Sequence, residues 1–89
     1  MACKRNEDIK ELYNLLSTLE TPEDFETLFG DLCTYKEIEQ MAQRVKAAKL
    51  LIEGKTYTQI TELCDISPAT LSRVSRCVQY GEGYVKFIK

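Results

Sequence analysis

Ser67, Ala69, Thr70, Ser72, Arg73 and Arg76 lie within ten residues of one another, and no acidic residue occurs between Pro68 and Tyr80. Hydroxyls of this kind bond base edges or phosphate oxygens, and guanidinium groups suit a phosphate or the edge of a guanine. At helical spacing Ala69, Ser72, Arg73 and Arg76 share one face, while Leu71, Val74 and Val78 share the opposite one. The spacing therefore predicts a helix over 68–78, buried along one stripe, with a free face that is small at its start and cationic further on. That is the surface a major groove admits, and the amides near Ser67 add a site for a phosphate.

The residues just before supply the mount for such a helix. Thr56-Tyr57-Thr58-Gln59 reads as a capping box that opens a helix of about two turns, with Ile60, Leu63 and Cys64 as its buried residues. Asp65 and Ile66 make the turn, with Asp65 in a left-handed conformation, and Ser67-Pro68 restarts the chain with a capping serine and a proline at the first helical position. Two helices joined by so tight a turn form a helix-turn-helix candidate. The contact set for DNA is Gln59, Ser67, Ala69, Thr70, Ser72, Arg73 and Arg76. An αα-hairpin with a solvated polar face is the plainer reading of the same spacing.

Charge supports a polyanion partner only when the chain is divided. The whole carries a net −2, but residues 1–40 hold four basic and ten acidic side chains and residues 41–89 hold eight basic and four acidic, so that −6 is followed by +4. With no histidine, no Gly-rich phosphate loop and no nucleophile beside a base, nothing points to catalysis. Cys3, Cys33, Cys64 and Cys77 contain no CxxC pair, so neither a metal nor another cofactor is expected. The N-terminus runs straight into charge without an apolar stretch, and no apolar run approaches the ~20 residues needed to cross a bilayer, so a cytoplasmic chain with reduced thiols and no membrane partner is expected.

The fold class that holds this hairpin is all-α, built of short helices. Ile9, Leu12, Tyr13, Leu16 and Leu19 define a first helix over 6–19 with Asn6 as its N-cap. Thr21-Pro22-Glu23-Asp24 opens a second, with Phe25, Leu28, Phe29 and Leu32 as its stripe. Thr34 and Glu37 fit a capping box ahead of a long helix lined by Ile38, Met41, Ala42, Val45, Ala48 and Ile52, which Gly54 ends. Val85, Phe87 and Ile88 form a last helix or a docked tail, Tyr80 and Tyr84 are packing residues, and Cys64 and Cys77 are small buried hydrophobes. An 89-residue chain with neither metal nor disulfide gains its missing stability by pairing, which points to a homodimer. The expected organisation is one domain, 1–89, with a helical dimerisation region over 1–55, the helix-turn-helix over 56–78 and a tail over 79–89.

From Thr34 to Val78 the chain also resembles the Trp repressor superfamily. The resemblance rests on the capping-box threonine, the Arg44-Val45 pair, the Gly54 stop, the Thr-Gln opening of the next helix and the run Ala69 to Arg73. Gln79-Tyr80-Gly81-Glu82-Gly83-Tyr84 is similar to the YerC/YecD branch of bacterial proteins. The resemblance implies an intertwined homodimer acting as a DNA-binding transcriptional regulator, a repressor by analogy. It also implies an effector pocket formed by Thr34 and Arg44 on one side and Thr70 and Arg73 on the other. Val74 stands where the Trp repressor has a glycine that makes room for the indole, which argues against tryptophan and leaves the small-molecule effector unidentified. Arg73 stays open between DNA and ligand, and Arg44 has a simpler role in a surface pair with Glu37 or Glu62. The alternative to a DNA-binding regulator is a helical protein-interaction module without specific DNA binding.

Overall fold

The computed structural model describes the backbone of residues 2–88 and the side chains of residues 5–88, so the Cys3 thiol lies outside the described residues. Six helices and no strand occur among them: α1 (Ala2–Leu16), α2 (Pro22–Leu32), α3 (Tyr35–Ile52), α4 (Tyr57–Leu63), α5 (Pro68–Tyr80) and α6 (Gly83–Phe87). They fall into two compact units, one ending at Thr34 and one beginning at Tyr35.

In the first unit, α1 starts four residues earlier than expected, so Asn6 is not its cap but lies in its second turn. It also ends earlier, at Leu16 rather than Leu19. The Ser17 and Thr18 hydroxyls donate to the Asn14 and Leu15 carbonyls at 2.7 Å each, and the Thr18 and Leu19 amides tighten onto carbonyls three residues back. Thr21 and Pro22 open α2 as expected, and Asp24 completes a capping box. Its amide donates to Thr21 Oγ1 at 3.1 Å while its carboxylate accepts the Glu20 and Thr21 amides at 3.0 and 3.3 Å. Gly30 lies within α2 without ending it. Phe25 and Phe29 meet edge to face, with centroids 6.1 Å apart, yet no described residue of this unit is buried.

The second unit is built around α3, against which α4, α5 and α6 pack. Its core consists of Ala47, Ala48, Ile60, Cys64, Leu71 and Val74, bordered by Leu50, Leu51, Ile66, Val78, Tyr84 and Ile88. Several side chains expected to pack are outside it: Val45 and Ile52 of the α3 stripe and Phe87 near the end are exposed, Leu63 is 53% exposed because Ile60 and Cys64 already fill the inward side of so short a helix, and Tyr80 is 82% exposed at the end of α5. Cys77 is only half-buried. α3 ends in a Schellman motif, in which the Lys55 amide donates to the Leu50 carbonyl and the Gly54 amide to the Leu51 carbonyl, each at 3.0 Å. Gly54 is left-handed with φ +91°, whereas no described non-glycine residue has a positive φ.

Two stability outcomes follow. Gly54→Ala forces a Cβ into the left-handed region and lowers stability by about 1–2 kcal/mol, whereas Gly30→Ala, with nothing within 4 Å of the added methyl, raises it by about 0.5–1 kcal/mol; urea unfolding of both variants checks the opposite signs. The capping amides hold the Asp24 carboxyl below its ordinary value of 3.8. A depressed folded-state pKa contributes stability that is complete above the unfolded value and is lost as pH falls through the folded one. Acid titration of stability therefore shows a component below about pH 4 that disappears in Asp24→Asn.

Candidate nucleic-acid interface

α4, the turn 64–67 and α5 form a helix-turn-helix, each half opened by its own cap. The Gln59 amide donates to Thr56 Oγ1 at 3.2 Å, and the Thr56 amide donates to Gln59 Oε1 at 2.9 Å. The carboxamide oxygen of Gln59 is thereby taken, leaving its amide nitrogen to meet a partner. At α5 the Thr70 amide donates to Ser67 Oγ at 3.2 Å, and the Ser67 hydroxyl donates to Thr70 Oγ1 at 2.9 Å. This cap reduces the anion site expected there. Pro68 has no N–H, the Thr70 amide is taken by the cap, and the Leu71 amide donates to the Ser67 carbonyl at 2.9 Å.

The turn departs from expectation, because Asp65 is not left-handed. Two side chains of α3 satisfy the backbone there instead: the Asp65 amide donates to Gln43 Oε1 at 3.1 Å, and Lys46 Nζ donates to the Leu63 carbonyl at 2.7 Å. Neither residue was legible as functional in the sequence, since the partners are main-chain groups 22 and 17 positions further on.

α5 sorts its residues as its spacing requires. Leu71 and Val74 are buried and Val78 is half-buried, whereas Ala69, Ser72, Arg73 and Arg76 are exposed. Ser75, which spacing did not assign to the interior, is buried as well. Arg44, Arg73 and Arg76 form no ion pair among the described residues, so the surface pairing considered for Arg44 is absent there.

Beside the turn, an open cavity of about 220 Å³ is lined by Gln40, Gln43, Arg44, Asp65, Ile66, Ser67 and Thr70. It brings together Arg44 and Thr70 of the expected effector pocket. Arg73 and Val74 do not line it: Arg73 is on the exposed face of α5, and Val74, three residues after Leu71, packs into the core at 2% exposure. Thr34 is the last residue of the first unit. No cluster of His, Cys, Asp and Glu among the described residues could hold a metal ion, and no described helix is long and apolar enough to cross a membrane.

The Trp repressor protein family model matches residues 7–88. The chain belongs to the Trp repressor family. It is 42% identical over 77 residues to the uncharacterized protein YerC of Bacillus subtilis (strain 168), which covers 86% of this chain and 74% of that protein. It is also similar to the crystal structure of a Staphylococcus aureus protein assigned as a Trp repressor, with a TM-score of 0.84 and 39% identity over 89% of this chain and 80% of the other. The Trp repressor family consists of regulatory DNA-binding proteins rather than enzymes, the class to which the charge gradient and the helix-turn-helix spacing pointed.

Proposed function

We propose that this member of the Trp repressor family is a homodimeric transcriptional regulator that binds an inverted-repeat site in double-stranded DNA, with α5 entering the major groove. The observation that carries the reading is the outer face of α5, on which Arg73 and Arg76 are exposed with no ion pair among the described residues, while Leu71 and Val74 on the opposite face hold the helix in the core. Ser67, Ala69, Thr70, Ser72 and the amide nitrogen of Gln59 complete the contact set. A two-fold axis then sets the half-sites about one helical turn, roughly 34–36 Å, apart. The cavity beside Arg44 and Thr70 is the place for an effector of the same regulator.

Dimerisation is supported by what one chain leaves uncovered. In the first unit Ile9, Leu12, Tyr13, Leu15, Phe25 and Leu32 are all exposed, and α3 exposes Val45 and Ile52 away from its packed side. Thirty-odd residues with two apolar stripes and no interior do not hold a fold alone, so the stripes fit a shared core between two copies, with residues 1–55 as the dimerisation region.

Selection of bound duplexes from a random library at about 150 mM salt, where purely non-specific phosphate binding is weak, is expected to recover an inverted repeat. Arg76→Ala is expected to weaken binding and to reduce the salt slope by about 0.9 for each phosphate contact removed. A folded dimer that recovers no motif would move the assignment to a protein-interaction module. Thermal unfolding is expected to shift upward with protein concentration and to show no folded monomer, as sedimentation across the micromolar range will report.

A further inference from the structure

We propose that Gln43 and Lys46 of α3 are positioning residues for DNA binding: together they clasp the turn between α4 and α5 and hold α5 in the register at which it reads DNA. The inference rests on the DNA-binding reading and adds to it two residues that do not themselves touch DNA.

The argument starts from what the turn lacks. Cys64 ends α4 in an extended conformation, and Asp65 does not adopt the left-handed conformation that commonly closes a helix. The Leu63 carbonyl and the Asp65 amide therefore have no partner within the hairpin and are met from outside it, by Lys46 Nζ at 2.7 Å and Gln43 Oε1 at 3.1 Å. The one donor and the one acceptor come from residues three apart, one turn of a single helix flank, and they grip positions on either side of Cys64. Within the turn Cys64 is buried and Ile66 packs at the border of the core. Leu63 and Asp65, whose main-chain groups flank Cys64, are exposed, so those two groups are held by the side chains of α3 rather than by packing of their own.

The chemistry suits the task. An ammonium on the last carbonyls of a helix is favoured by the negative end of the helix dipole, and the bond it makes is charge-assisted and short. One of the three Lys46 ammonium donors is thus given to a carbonyl, although the residue belongs to the basic half of the chain. Gln43 accepts with its carboxamide oxygen, which a carboxylate of the same length can replace and a thioether cannot.

The test uses the full-length dimer, amide hydrogen exchange, and two duplexes: the inverted repeat recovered by selection and a random sequence of equal length. Gln43→Met is expected to speed exchange at the Asp65 amide about fivefold, the loss of one hydrogen bond. It should weaken the selected duplex by a similar factor while leaving random-duplex affinity unchanged, with the thermal midpoint falling only by the few degrees that a fivefold loss implies; a residue with a merely structural role would lower both affinities together. Gln43→Glu restores the Asp65 protection. Lys46→Met is expected to cost about tenfold on the selected duplex, as befits a charged donor, with no change in salt slope. A slope reduced by about 0.9 per contact would make Lys46 a phosphate ligand and overturn its part. Unchanged Asp65 exchange, or undiminished discrimination between duplexes in Gln43→Met, overturns the clasp while DNA binding stands. Failure of the unaltered protein to select any sequence instead overturns the DNA reading, and the clasp's role with it.

Discussion

Ala47 and Ala48 are the constraint on which the second unit depends. Both are fully buried on the side of α3 that meets α4 and α5, and side chains this small let neighbouring helices approach closely. Ile60, Leu71 and Val74 fill the space that remains. Because the core is confined to one side of α3, α5 is committed to the interior along Leu71 and Val74, and the opposite face, with Arg73 and Arg76, is left to solvent. The same economy leaves Val45 and Ile52 bare on another side of α3, where they have nothing to pack against within the core described.

A core so small leaves the hairpin to be shaped by polar groups. Thr56 and Gln59 start α4, Ser67 and Pro68 start α5, and each cap also decides which atoms remain for a partner. Gln59 keeps its amide nitrogen, whereas the first turn of α5 keeps far less anion-binding capacity than an uncapped helix would. The cavity at the turn shares this logic. Gln43 lines it while bonding to Asp65, and Ser67 lines it while capping α5, so the side chains that build the hairpin are also those that an occupant of the cavity would meet.

Much of this was legible because the signals are local. Caps act within four residues, which is why Thr21, Thr56 and Ser67 mark helix starts by residue type alone, and why Gly54 marks the stop that its positive φ makes. The buried and exposed faces of α5 follow from period alone. Asn6 misled because a capping residue type is permissive rather than compulsory: a chain without a stop signal before it continued the helix to Ala2. Leu63 and Tyr80 misled because apolar character does not say whether a neighbour exists to cover it.

The amino-acid sequence by itself therefore determined the helical class, most helix starts, the polarity of α5 and the family, since all of these are carried by residue type and short spacing. Tertiary structure alone decided that Val74 faces the core while Arg44 and Thr70 share a cavity, and that the turn takes its hydrogen bonds from Gln43 and Lys46. Those contacts join main chain to side chains some twenty residues away, and a carbonyl or an amide is the same group in every residue, so no pattern of residue types could have announced them.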